Sequence, residues 1–217
     1  MSDRTWGGST LAARRETRRE TLLATALSLA GEDGSAAVTV RSVCRRAKLT
    51  DRYFYESFAD RDALLLAAFE RVATEARDTL ADAVARTSPE PAARARAAVE
   101  AFVALVLDDP HKGRLLLLEP FADPVLGEHS HRLMPSFTGL IDGQLADGTD
   151  DSGRRMTAYA LVGGLANLFA GHLRGTLDVP RERLVDHSVQ LVLAAHTATT
   201  RPDRTGQDRT SPESPRP

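Results

Sequence analysis

Residues 39–61 read TVRSVCRRAKLTDRYFYESFADR, and the alternation of polar and apolar side chains in this stretch decides the fold. From Thr39 to Ala47 the run is helix-forming, with Val40, Val43, Cys44 and Ala47 on one face and Arg41, Arg45 and Arg46 on the other. Thr39 stands where an N-cap belongs, its hydroxyl placed to accept from the first-turn amides. Lys48-Leu49 breaks the run. Thr50 is then expected to cap a second, shorter helix that turns Phe54 and Phe58 inward and presents Arg52, Tyr53 and Tyr55. Two helices joined by a short turn, the second rich in hydrogen-bonding and aromatic groups at its start, is the arrangement a helix-turn-helix offers to a DNA major groove.

Upstream, about Ala12 to Gly31 forms a first helix with Leu22, Leu23, Ala26, Leu27 and Ala30 on one stripe, ended by Gly31 and Gly34. Arg14, Arg15, Arg18 and Arg19 crowd its start, where the helix dipole disfavours cations. They fit either an anionic partner such as a phosphate backbone or a solvated face balanced by Glu16 and Glu20. Downstream, every periodic stretch is again helical. A long helix of about 61–86 is followed by stretches near 92–107, 114–118, 126–145, 154–174 and 181–197, separated by proline- and glycine-rich breaks such as Ser88 to Pro91 and Asp109-Pro110. The fold class expected is all-α, about nine helices. A disordered arm (1–12) precedes a helix-turn-helix unit (13–60), an all-helical regulatory and dimerisation domain (61–200) and a disordered polar tail (201–217).

Composition sets bounds on function. The chain of 217 residues is 42% hydrophobic and 27% charged, with no apolar run near the length of a membrane span. The N-terminus lacks the apolar core of a secretory signal, and the single cysteine, Cys44, fits a reducing cytoplasm; no membrane partner is expected. Cys44 lies among apolar positions and reads as a small buried side chain. Net charge is −2 overall, yet residues 1–61 carry eleven Lys/Arg against eight Asp/Glu, a net +3 that leaves −5 for the rest. A basic head on an acidic body points to nucleic acid at one end.

On the pieces LLATALSLAGEDG, TVRSVCRRAKLT, YFYESF and ADRDALL, in that order and spacing, the first 65 or so residues resemble the TetR family of one-component bacterial regulators. Lys48, where the family usually has a turn glycine, and Arg61, where it usually has lysine, depart from the pattern. The resemblance implies a homodimer that reads a pseudo-palindromic operator in double-stranded DNA and answers to a small-molecule effector, most simply as a repressor. By position it implies DNA contacts from Thr39 and Arg41 at the start of the second helix, and from Thr50, Arg52 and Tyr53 at the reading end of the third. Tyr55 would add a phosphate bond and Arg61 a cation opening the fourth helix. Arginine can bridge guanine O6 and N7, and Thr and Tyr hydroxyls suit phosphate oxygens. Asp51 accepts from a cytosine amine or orients Arg52.

In the regulatory half the resemblance is architectural. Residues 157–175, TAYALVGGLANLFAGHLRG, with the apolar helix that follows, resemble the pair that forms a four-helix dimer interface in this family. Phe69, Phe102, Val106, Leu117, Phe121, Met134, Phe137, Asn167 and Phe169 are the candidates to line an effector cavity, each of them competing with plain core. Asn167, an amide in an apolar helix, needs a partner in a ligand, a water or the second subunit. His111, His129, His131 and His172 with Glu119 and Glu128 lack the i,i+4 spacing of a helical metal pair, so no metal or cofactor is expected. The competing classes are a helical enzyme and an interaction module without DNA binding. No phosphate loop, nucleophile elbow or paired-carboxylate motif supports an enzyme, Arg114 and Glu119 beside His111 being the best cluster on offer.

Overall fold

A computed structural model describes residues 11–145 and 151–199, and the segments 1–10, 146–150 and 200–217, where the arm, one interhelix run and the tail were expected, lie outside the described residues. Among the described residues there are nine α-helices and no strand: α1 (Leu11–Asp33), α2 (Val40–Ala47), α3 (Asp51–Tyr55), α4 (Arg61–Ala85), α5 (Pro91–Val103), α6 (Pro110–Leu117), α7 (Pro124–Asp142), α8 (Asp151–Leu173) and α9 (Arg181–Thr199). Single turns of tighter or wider helix fill the joints: a 3₁₀ turn at Ser35–Ala37, a π turn at Ala104–Asp108 that prolongs α5, and a 3₁₀ turn at Glu119–Phe121.

Several sequence breaks are helix starts. Glu90, Asp109 and Asp123 each accept backbone amides of the next helix, and Pro91, Pro110 and Pro124 follow as its first residue. Proline there loses no hydrogen bond, and an acid at the cap suits the positive end of the dipole. α1 likewise runs past Gly31 to Asp33. Gly31 serves close approach instead, since a Cβ there would stand 2.4 Å from the Cβ of His111, where α6 crosses α1. Gly34, at φ 89°, takes the left-handed turn that stops the helix.

The core has two parts. In the first, α1, α2, α3 and the first half of α4 bury Leu22, Ala26, Val43, Phe54, Phe58, Leu64 and Phe69 together with Leu115 of α6 and Leu126 of α7. The second packs Val99 and Val103 of α5, Leu117, Phe169 and Ala170 of α8, and Leu184, Val185 and Val189 of α9. The helix-turn-helix unit therefore shares its core with the α4, α6 and α7 helices that follow it.

Lys48 holds φ 55°, ψ 38°, the only positive φ at a non-glycine among the described residues. Its amide closes α2 on the Arg45 and Cys44 carbonyls. Left-handed backbone costs an L-residue about 1–2 kcal/mol, while glycine loosens the unfolded chain by about 0.5–1 kcal/mol. Lys48→Gly is accordingly expected to stabilise the protein by less than about 1 kcal/mol, read as a small rise in denaturant midpoint; a loss of stability would contradict the strain.

Candidate DNA-reading head and effector cavity

The second helix is fixed by a reciprocal cap. Thr39 Oγ1 accepts the Ser42 amide at 3.1 Å and Ser42 Oγ accepts the Thr39 amide at 2.9 Å. Thr39 stays exposed, so the hydroxyl is both anchored and reachable. Thr50 departs from expectation: it occupies the N-cap position of α3, but its hydroxyl makes no capping bond and faces outward. Arg52, 85% exposed at its side chain, leans on Glu56 at 3.2 Å. Tyr55 is 59% exposed and edges onto buried Phe54 at 5.4 Å. Arg41 and Arg45, one turn apart on the exposed face of α2, have no ion-pair partner among the described residues, and neither does exposed Lys48. Cys44 is buried and its thiol is pushed up to about 11, first by burial and then by the Asp51 carboxylate. That makes it inert.

The arginines at the start of α1 have an internal task. Arg15 donates to the Glu56 carbonyl, and Arg19 donates to the Ser57 carbonyl at 3.2 Å while covering the Phe58 ring at 4.4 Å. Arg18 stacks on the Tyr53 ring at 4.4 Å and reaches Glu56 at 3.5 Å. Guanidiniums at the carbonyl end of α3 meet the negative end of its dipole, so α1 clamps the short α3. Tyr53 thus has one packed ring face while remaining 37% exposed.

Arg61, the expected phosphate cation, makes its hydrogen bonds inside the protein. Its Nε donates to the Val38 carbonyl at 3.1 Å and its Nη2 to the Ser35 carbonyl at 2.8 Å and to Asp123 Oδ2 at 2.9 Å, while Nη1 pairs with Asp62 at 2.7 Å. Beside it, Glu119 Oε2 accepts the Ser35 amide at 2.6 Å and Oε1 accepts Arg114 Nε at 3.0 Å. Arg114 Nη1 also donates to the Glu32 carbonyl at 3.1 Å. Residues 32–38, which lead into α2, are thereby tied to the α6–α7 connection. The Arg114–Glu119 cluster weighed as an enzyme site is this structural joint. Among the described residues no three His, Cys, Asp or Glu side chains come together as a metal site.

The two joint carboxylates are perturbed. Burial raises the Glu119 pKa, but the Ser35 amide and Arg114 outweigh it, holding the group below its ordinary value. Burial likewise raises Asp123, outweighed by Arg61 and the Leu126 and Val125 amides. With the folded pKa below the unfolded one, the stabilisation is full above the usual carboxylate range, about 4, and is lost as pH falls through the folded values. Calorimetric melting from pH 7 to 3 should therefore show a steep acid limb that Glu119→Gln flattens; parallel curves would detach Glu119 from the acid limb.

Behind the joint, a cavity of about 410 Å³ opens between α4, α5, α6, α7, α8 and α9. Six of the expected residues line it: Phe69, Phe102, Leu117, Met134, Phe137 and Phe169. Three do not. Val106 is fully buried in the second core, Phe121 is 68% exposed beneath Arg174, and Asn167 is exposed with its amide on the Gly163 carbonyl at 3.1 Å. The π turn, which shifts register after Val103, accounts for Val106, whereas Phe121 falls in a joint turn that no helical period could place. The lining polar residues missed by sequence are Arg94, Ser130, Gln144 and His196. Arg94 follows Pro91 in the first turn of α5, a signal that the starts marked by acid-proline pairs would have supplied.

Residues 22–68 match the model of the bacterial regulatory proteins, tetR family. Comparison with curated proteins gives no match. Among solved structures, the fold is similar to the fatty acid degradation regulator FadR of Bacillus halodurans, with TM-score 0.70 and 15% identity over 81% of this chain and 94% of that one. It is also similar to FadR of Bacillus subtilis, solved in complex with stearoyl-CoA, with TM-score 0.68 and 14% identity over 81% and 98%. A transcriptional regulator from Pseudomonas aeruginosa gives TM-score 0.70 and 18% identity over 85% and 93%. Identities of this size speak for the fold alone. The helix-turn-helix head thus matches the tetR family's own model, and the helical body shares the fold of these solved regulators.

Proposed function

We propose that the protein is a ligand-responsive transcriptional repressor, released from a pseudo-palindromic operator when a largely apolar small molecule occupies the cavity. The observation that carries this reading is shared structure: α6 and α7 wall the cavity and also hold, through Arg114, Glu119 and Asp123, the residues leading into α2. A ligand with different affinity for two α6–α7 arrangements would bias the head by that difference alone. Thr39, Arg41, Thr50, Arg52, Tyr53 and Tyr55 are the proposed DNA contacts, joined by Arg45 and Lys48 on phosphate. Stearoyl-CoA in the Bacillus subtilis relative supports an effector with a long apolar part.

A homodimer follows from the same reading. Met156, Tyr159, Ala160, Gly164 and Asn167 form an exposed stripe on α8, beside exposed His187, Leu191 and Ala194 of α9. Added Cβ atoms at Gly163 and Gly164 would meet nothing within 4 Å inside the chain, leaving room for a second copy's helices. Asn167 then lies at the interface and not in the cavity. Fluorescence anisotropy with duplex from the gene's own upstream region tests the function. Binding no tighter than to random duplex at physiological salt sinks it.

A further inference from the structure

Among the described residues the cavity is polar at one end only, apart from Ser130. α4 runs from the head, where Phe69, Leu116 and Leu117 close the cavity, to the far end beside the first turn of α5 and the ends of α7 and α9. At that far end stand Arg94, Gln144 and His196. Arg94 Nη1 donates to Gln144 Oε1 at 3.1 Å, and His196 Nδ1 lies 3.0 Å from the Gln144 carbonyl. The Arg94 Nε is buried and has no hydrogen-bond partner. Among the described residues, Arg94 is the only arginine or lysine lining the cavity, and no carboxylate lines it.

A guanidinium that lines an apolar cavity, with its Nε unanswered and no carboxylate among the described lining residues, suits an anion. Buried donors left unmet are costly, and a guanidinium offers Nε and a terminal nitrogen as a fork that fits a carboxylate or phosphate. Building on the effector reading above, we propose that the ligand is a single-tailed amphiphile with an anionic head. The head lies at Arg94 and the alkyl tail runs toward Phe69, Leu116 and Leu117. The tail end would then press on the wall that α4 and α6 present to the head. Tail length should matter accordingly, with each methylene within the cavity adding about fourfold in affinity.

Isothermal titration calorimetry with dodecanoate, dodecanoyl-CoA and dodecanol on the full chain tests this. At least one of the two anions is expected to bind tenfold or more tightly than dodecanol, and which one does so identifies the source of the head as a free carboxylate or a thioester's phosphates. Arg94→Met should abolish the preference while leaving dodecanol binding intact, and Arg94→Lys should keep part of it. Dodecanol binding as tightly as both anions overturns the anionic head but leaves the apolar effector reading standing. Binding of none of the three overturns both. Loss of all three ligands in Arg94→Met with unchanged melting overturns the assigned role of Arg94.

Discussion

Arg61→Ala is expected to cost about 3 kcal/mol of stability, the low end for breaking a buried pair from one side. For a chain of this length that lowers the melting temperature by about 10 °C. The side chain is 27% exposed and Asp123 only 9%, so the carboxylate left behind is the more deeply buried charge. Two backbone carbonyls, Val38 and Ser35, lose their donor as well. Arg61→Lys should recover only part, because one ammonium cannot reach two carbonyls and two carboxylates in the plane that a guanidinium spans. Calorimetry on the two variants distinguishes this joint from the phosphate contact that the sequence pattern implies. A phosphate contact predicts weaker, more salt-tolerant DNA binding with unchanged melting, and that result would return Arg61 to the DNA face.

The internal partners of Arg61 illustrate a limit that is general to the body of the chain. Periodicity reports which face of a helix is buried, and it placed α1 to α4 and their core residues within a few positions, from Leu22 through Phe54 to Leu64. It does not report which polar groups meet across helices. Arg114 and Glu119 were legible as a local cluster and Asp123 as a lone charge, but their partners ahead of α2 lie up to 84 positions away. The cavity residues divide in the same way. Phe102, Met134 and Phe169 sit on inward faces that a 3.6 period locates, while Arg94 is invisible to a search for apolar faces. Turn chemistry was more informative than its reading allowed. The acid-proline pairs at 90–91, 109–110 and 123–124 mark starts and caps, and taken so they place α5, α6 and α7 closely.

The head variants should separate reading from holding. Arg41 and Arg45 stand one turn apart on α2 without ion-pair partners among the described residues, so truncating either is expected to leave the fold alone. On the proposed DNA contacts, Arg41 reaches a base edge and Arg45, farther along the helix, meets phosphate. In a dimer each substitution acts at both half-sites. Arg41→Ala is therefore expected to lower operator affinity about 100-fold or more while barely changing affinity for random duplex. Arg45→Ala should weaken both alike and reduce the salt slope by about one per half-site. Tyr53→Phe keeps the ring on which Arg18 stacks and removes only the hydroxyl, so any loss it shows belongs to the DNA and not to the clamp of α1 on α3. Anisotropy titrations at several salt concentrations, on operator and random duplex, read all three. Equal losses on both duplexes for Arg41→Ala would move it to the backbone, and no loss at all would place α2 outside the interface and leave α3 alone to read the sequence.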